Sequence, residues 1–297
     1  ITLKFPYPDF FNILLMNFVA VAPAGSKPKS PQEVIGTGPF KLTSYQSGVS
    51  SVGIKNENYW NKGLPYLDGV NTYIITDRST GLAAFRAGRI DMVIPVYLTA
   101  DPYITISTVM KDQAAAYLYS GSRWWNFYMP VNKKPWSDPR VRRAVFMAID
   151  RKQAQATLER NLGTVEGVLP SSMGGLTEAE LKKMPGWREP KSVDIDEAKR
   201  LLAEAGYPNG FSTDIFYQTR SEFEQAAVVL RDQFAQLGIK ATLTTRAGAA
   251  FWDYIYSRSY STYVAQHGAS PPTVDTFLGY YLSGDLRTFA DIADPKL

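Results

Sequence analysis

In the second half of the chain, apolar residues recur at helical spacing in three places. Val141, Val145, Ala148 and Ile149 share one side of a helix, and Asp138-Pro139 opens it, because proline is tolerated in the first turn. A second helix is predicted from Asp194, with Glu197 as its capping-box partner, through Ala198, Leu201, Leu202 and Ala205 to a stop at Gly206. A third carries Phe223, Ala226, Ala227, Leu230, Phe234 and Leu237 on one face and ends at Gly238. Strands are predicted on both sides of it, Thr213 to Gln218 and Ile239 to Arg246. In the latter, Ile239, Ala241 and Leu243 alternate with Lys240, Thr242 and Thr244, the period of a half-buried strand. Strand, helix and strand make a crossover unit, so the two strands should lie parallel in one sheet, joined right-handedly.

The first half is less regular. Pro6, Pro8, Pro23, Pro28 and Pro31 cut its start into short extended pieces, with a helical turn or two around Phe10 to Phe18. Phe40 to Tyr45 and Ser51 to Lys55 read as a hairpin about Gln46-Ser47-Gly48, and Val70 to Thr76 as a further strand. Thr80 to Ala87 reads as a helix with Leu82, Phe85 and Arg86 spaced for one face and Gly88 as its stop. Proline, tryptophan and small polar residues concentrate from Asn126 to Pro139, the expected hinge.

Composition narrows the chemistry. With 297 residues, 45% of them apolar, the chain has material for two packed domains. Its net charge of +4 is a small excess of scattered Lys and Arg, and the densest basic runs, Lys27 to Lys29 and Arg140 to Arg143, are too short for a nucleic-acid footprint. Zero cysteines remove disulfides, thiolate zinc sites and thiol nucleophiles, and a single histidine, His267, removes any mechanism needing two imidazoles. The apolar stretch from Phe10 to Gly25 is interrupted by Asn12 and Asn17 and is too short for a membrane helix. The opening Ile1-Thr2-Leu3-Lys4-Phe5 alternates like mid-strand and lacks the regions of a signal peptide, so the chain is expected to start inside a domain.

Catalytic motifs fare poorly. Gly36-Thr37-Gly38-Pro39-Phe40 begins like a dinucleotide fingerprint, but Lys41 stands where the third glycine belongs and Pro39 lacks a backbone donor, which leaves a tight turn into the strand at Phe40. A hydrolytic triad is conceivable only at His267, Ser270 and Asp275, whose closeness in sequence argues against it, since triad members come from separate segments. A hydrolase using His267 is the rival reading. Asp194 and Asp196 stand at a helix start, where capping and dipole roles account for them. The unusual reserve is aromatic: 6 Trp, 18 Tyr and 15 Phe, grouped at Trp124-Trp125-Asn126-Phe127-Tyr128 and from Phe251 to Tyr263. Flat apolar faces with polar edges suit core packing, and equally a cleft that closes on small organic molecules.

A series of motifs in fixed order then resembles the family 5 extracellular solute-binding proteins, the large receptors of peptide, nickel and related ABC importers. It runs from Gly36-Thr37-Gly38-Pro39-Phe40-Lys41-Leu42 through Asn56-Glu57-Asn58-Tyr59-Trp60, Pro65-Tyr66-Leu67-Asp68-Gly69-Val70 and Arg86-Ala87-Gly88-Arg89-Ile90-Asp91. It continues in Pro135-Trp136-Ser137-Asp138-Pro139-Arg140-Val141-Arg142-Arg143-Ala144, Ala148-Ile149-Asp150-Arg151, the stretch from Ala198 to Tyr207, and Leu237-Gly238-Ile239-Lys240.

The resemblance implies an α/β fold of the periplasmic binding protein type, of the large multi-subdomain kind, in which two α/β lobes joined by a hinge close on a ligand in the cleft between them. It implies residues 1–34 as a remnant of a peripheral subdomain of the first lobe, 35–124 as part of that lobe's core and 125–297 as most of the second lobe, so that the receptor is incomplete. It implies a monomer without cofactor or metal, periplasmic or extracellular, with or without a lipid anchor, that captures a small organic solute, a peptide or similar oligomer, and docks on a membrane permease. By position, Trp252, Gln266, His267, Gly268 and Ser270 line the second lobe's side of the cleft, with Trp125 and Asn126 near the crossing. Arg140, Arg142, Asp150 and Arg151 are expected to be structural. Peptide-binding members place an acidic residue where Ser270 stands and a tryptophan where His267 stands. A neutral site offers no charge-assisted bond to an ammonium group, which points to a saccharide, an opine-like compound or a blocked peptide as the alternative ligand.

Overall fold

The computed structural model describes residues 2–4, 6–7, 10–14, 20–93, 100–117, 123–268 and 273–279. The chain forms two compact units, Ile1–Tyr97 and Leu98–Leu297. This division follows chain packing and falls ahead of the 124/125 boundary, which refers to the lobes of an intact receptor.

Unit 1 begins with α1 (Phe10–Leu14) and a single 3-10 turn at Pro31–Glu33. Strands β1 (Phe40–Gln46), β2 (Ser50–Lys55) and β3 (Gly69–Tyr73) form an antiparallel sheet in that order, and α2 (Arg78–Arg86) follows. The expected hairpin is present, closed by Val49 N–H on Gln46 O at 3.0 Å. β3 stops three residues short of its expected end. The Gly-Thr-Gly-Pro segment is a turn fastened to the end of β2, where Asn56 donates from its backbone to Pro39 O (2.8 Å) and from Nδ2 to Gly38 O (3.1 Å). Asp77 caps α2 by accepting from Thr80 N–H at 2.7 Å.

Unit 2 starts with α3 (Ala100–Val109), β4 (Arg123–Tyr128), α4 (Pro139–Ala148), α5 (Arg151–Glu159) and α6 (Glu178–Leu181). There follow α7 (Ser192–Glu204), β5 (Ser212–Gln218), α8 (Ser221–Ala235), β6 (Lys240–Arg246), α9 (Gly248–Tyr256), β7 (Tyr263–Gly268) and α10 (Val274–Gly279). The sheet order is β4-β7-β5-β6, with β5 parallel to both β6 and β7, and β4 antiparallel to β7.

The predicted crossover is therefore in place, β5 to β6 through α8. The chain then returns through α9 to β7 on the other side of β5. Alternation along β5 shows which face each helix covers. Ile215 and Tyr217 pack with Phe223, Ala226, Leu230 and Phe234 of α8 and with α4 and α7, whereas Phe216 packs with Phe251 and Ile255 of α9. The connections from β5 to β6 and from β6 back past β5 to β7 run in opposite directions across the sheet and so put their helices on opposite faces, as one handedness of crossover requires.

Two glycines fix the entry into this unit. Gly210 and Gly238 have φ of +75° and +74°, and a Cβ on Gly210 would lie 2.3 Å from the Gly238 carbonyl carbon. The end of α8 thus passes against the approach to β5 with room for no side chain.

Two expectations need correction. The second helix starts at Ser192, and Asp194 is not its cap: the side chain is fully buried, accepts from Arg188 Nε at 2.6 Å and lies 3.3 Å from Lys191 Nζ. Glu197 takes the other end of the same guanidinium at 2.6 Å. Asp194 also accepts from the Arg188 backbone N–H at 3.2 Å, so both carboxylates serve the preceding loop in place of the first helical turn. The segment from Asn126 to Pro139 is tied inside unit 2. Asn126 to Tyr128 belong to β4, Trp136 is fully buried, and Lys133 Nζ donates to Arg258 O (2.9 Å) and Tyr260 O (3.0 Å).

The signature residues act structurally, as expected. Arg140 joins α4 to α7 by donating to Glu204 O at 2.8 Å, Arg142 donates to Trp136 O at 2.7 Å, and Asp150 caps α5. Arg151 donates to Gly186 O at 2.9 Å with its guanidinium between the rings of Phe146 (4.3 Å) and Trp187 (4.2 Å).

Candidate functional site

In an open sheet with parallel strands, ligands bind outside the carboxyl ends of the strands, where successive connections depart in opposite directions and leave a crevice. In unit 2 that point lies between β5, which leads away through α8, and β7, which is reached through α9. The carboxyl end of β7 carries Gln266, His267 and Gly268, and antiparallel β4 brings its amino end, Arg123 and Trp124, beside them. At the end of β5, Thr219 N–H donates to Arg246 O (2.9 Å) and its Oγ1 meets Thr245 Oγ1 at 2.6 Å.

Register then sorts the expected residues by face. The β4 and β7 pairs are Trp124 with His267, Trp125 with Gln266, Asn126 with Ala265 and Tyr128 with Tyr263. Directly opposed residues share a face and successive ones alternate. Asn126 and His267 therefore lie on the α9 face together with Trp124 and Tyr128. Trp125 and Gln266 lie on the α8 face. Trp125 packs there edge-on against Phe223 (5.4 Å between centroids) and donates from Nε1 to Glu159 at 2.8 Å. Gly268 pairs with Arg123 at the strand end. Trp252 stands on α9, the helix that covers the Asn126 face. It is 42% exposed, edge-on to Phe251 (5.1 Å) and stacked on Tyr256 (6.0 Å). Ser270 lies outside the described residues, as does the side chain of Asp275.

Sequence reasoning left Trp124 and Tyr128 out of the site residues, although they share the face of Asn126 and His267. Both rings are fixed by stacking: Trp124 on Phe277 of α10 (4.6 Å, 24° between planes) and Tyr128 on Tyr263 (4.4 Å, 8°). Tyr128 also meets His267 edge-on at 5.4 Å. The signal for them was the alternation of Trp124-Trp125-Asn126-Phe127-Tyr128, but which half of it faces the helix is set by the partner strand.

β4 and β7 bring no charge to this face, whereas β5 and β6 add Asp214 and Arg246, both close to Tyr254 of α9. Burial pushes the His267 imidazole down to about 4, so it is uncharged near neutral pH. The residues that β4 and β7 place on this face, Trp124, Asn126, Tyr128, Tyr263, Ala265 and His267, include no carboxylate. Among the described residues, no group of three His, Asp or Glu is placed to hold a metal ion, and no helix is long and apolar enough to cross a membrane.

A separate cleft of about 240 Å³ opens beside α5 and α6, lined in part by Arg151, Lys152, Lys182, Trp187 and Lys191. Its lysines are already matched, and Arg151 is held by Gly186 O and the two rings. Lys152 pairs with Glu189, Lys182 with Glu178 at 2.9 Å, and Lys191 with the buried Asp194. It reads as a structural node.

Comparison with known proteins agrees with this architecture. Residues 1–288 match the family described as bacterial extracellular solute-binding proteins, family 5 Middle. The glutathione-binding protein GsiB of Shigella flexneri serotype 5b is 30% identical over 251 residues, which is 82% of this chain and 46% of GsiB. The chain thus spans less than half of that relative's length. The murein tripeptide binding protein MppA of Escherichia coli superimposes with a TM-score of 0.77 at 21% identity, over 99% of this chain and 58% of MppA. The periplasmic binding protein AgaA of A. tumefaciens R10, solved with agropinic acid, gives 0.73 at 24% identity, over 98% and 58% of the two chains.

Proposed function

This chain belongs to the bacterial extracellular solute-binding proteins of family 5, and we propose that it is the solute-capturing part of an ABC importer receptor, which takes up a peptide or similar oligomer and delivers it to a membrane permease. The observation that carries the reading is the convergence of two independent lines on one place. The family pattern points to ligand contacts around Gln266, His267 and Gly268, with Ser270 two positions on in sequence, and an open parallel sheet of this strand order leaves a crevice at the carboxyl end of β7, which supports that reading. Asn126, His267 and Trp252 would touch the solute. Trp125 and Gln266 would act from the α8 face and Gly268 from the strand end, and Ser270, by the family pattern, would complete the contacts.

The protein acts without catalysis in this reading. An imidazole held at about 4 by burial is a weak base at neutral pH, poorly matched to general-base work. The lobes are those the family pattern implies, 1–34 and 35–124 from the first and 125–297 from the second. The working receptor is a monomer outside the cytoplasmic membrane, free or lipid-anchored. The uncharged strand ends of β4 and β7 favour a solute held by stacking and hydrogen bonds over one held by a charged amine, which keeps opine-like compounds and saccharides in contention.

The test is thermal stabilisation of the natural full-length protein by glutathione, a murein-type tripeptide, agropinic acid and maltotriose. One of them is expected to raise the melting temperature by several degrees at about 100 times its Kd, with no product formed. Product release that disappears in His267→Ala would instead establish the hydrolase.

A further inference from the structure

A buried amide donor is almost always hydrogen-bonded, and one that is not needs a reason. The Nδ2 of Asn126 is buried with no hydrogen-bond partner in the structure. It sits at the third position of β4, opposite the methyl group of Ala265, between the side chains of Trp124 and Tyr128 on the same face. Ala265 has no polar side-chain atom and the Trp124 indole can only donate, so neither gives the amide an acceptor. Both flanking rings are locked by their own stacking partners, Phe277 and Tyr263. The donor is therefore presented from a rigid strand between two fixed aromatic walls, the preorganised arrangement that recognition requires.

We propose that Asn126 determines solute specificity by donating its side-chain N–H to a carbonyl-type oxygen of the solute, an amide carbonyl or a carboxylate, held between Trp124 and Tyr128. The inference rests on the receptor reading and narrows it. Solutes that offer only hydroxyl groups leave the donor without its best acceptor, so oligosaccharides fall behind peptides and opine-type acids. The cost of an unpaired donor is carried by the ligand-free protein and relieved on binding, which makes the residue one that serves function at the expense of stability.

The experiment has a ligand-free arm and a binding arm, both on the natural full-length protein. In the first, Asn126→Leu, close in shape but without polar atoms, is compared with the parent by thermal unfolding. An unchanged or higher melting temperature is expected, whereas a clear fall would give the amide a structural role and overturn the proposal. In the second, calorimetry is run with whichever of glutathione, the murein-type tripeptide, agropinic acid and maltotriose binds. Asn126→Leu and Asn126→Asp, which keeps the shape but offers acceptors only, are each expected to weaken binding about ten- to hundred-fold. Full retention by Asn126→Asp overturns the proposal, as does tight binding of maltotriose alone. In that last case the receptor reading survives while the specificity reading falls. For a peptide, replacing one amide at a time by a reduced CH2–NH link separates an amide carbonyl from the terminal carboxylate, and equal binding of every analogue and of the peptide amide shows that only water meets the donor.

Discussion

Units 1 and 2 are built from similar elements and end very differently. In unit 2 a four-stranded sheet is covered on both faces, and among the described residues every buried aliphatic and aromatic side chain except Pro65 belongs to this unit, from Ala100 to Phe277. Among the described residues of unit 1, no helix layer packs on the three-stranded sheet in this way. All of β3 is exposed, and Ile54, Trp60, Tyr66 and Leu67 present between 49% and 88% of their surface. A sheet with one apolar face needs a second layer to bury it. The same apolar content therefore yields a core only where the topology folds helices back over the strands.

The comparison can be broken by mutation. The largest expected effect is Phe234→Ala, which empties a fully buried site where α8 meets Phe127 (5.1 Å between ring centroids). A loss of about 3–5 kcal/mol in urea unfolding is expected. A cost under about 1 kcal/mol would mean that the α8 face is not the core of unit 2.

Next is Asp194→Ala, at about 3 kcal/mol. Burial pushes this carboxyl up, but the Gly186 N–H, the Arg188 guanidinium and the Lys191 ammonium together hold it below the usual carboxylate range. A depressed folded-state value means that its contribution is present above the ordinary Asp range and is lost as pH falls through the folded value. Parent and variant should therefore converge in strong acid, and a gap that persists there would point to packing in place of charge.

His267 acts in a milder window. Its folded-state value of about 4 lies below the ordinary 6.5, so on acidification the unfolded chain takes a proton first. Stability is complete above the unfolded value and falls as pH drops toward the folded one, by about 2 kcal/mol between pH 7 and pH 5. His267→Gln should flatten that slope, and a slope unchanged in the variant would show that other groups produce it. Smallest is Trp60→Ala in unit 1, expected within about 0.5 kcal/mol because the ring is 69% exposed. A large effect there would mean that unit 1 has a core its exposed sheet does not suggest.

Much of this was legible in advance, for identifiable reasons. Phe223, Ala226, Ala227, Leu230, Phe234 and Leu237 announce α8 because a helix that buries one face must repeat its apolar residues at helical spacing, and all six are buried. The start of α7 was misread because Asp194 looks like a cap to anyone who cannot see Arg188 and Lys191 approach from the preceding loop. The Asn126 to Pro139 segment looked like a hinge because its composition is that of a loop. Its anchor, the Lys133 ammonium on the Arg258 and Tyr260 carbonyls, comes from residues more than a hundred positions away.

Local pattern alone determined the β1–β2 hairpin, α2, α4, α7, α8, β5 and β6, the parallel pairing of β5 and β6, and, through motifs in fixed order, the family, whereas β4, β7 and α9, which build the candidate site, were not read from it. These depend on short-range spacing and on connection length, which the chain carries in itself. Tertiary structure decided the faces. Trp124 and Trp125 are neighbours of one residue type, and nothing in their own surroundings says that the first shares a surface with His267 while the second turns to Glu159 and Phe223. That choice is made by the register of β4 on β7, a pairing across more than a hundred residues, and a slip of one position would reverse it. The same register leaves the amide of Asn126 buried without a partner.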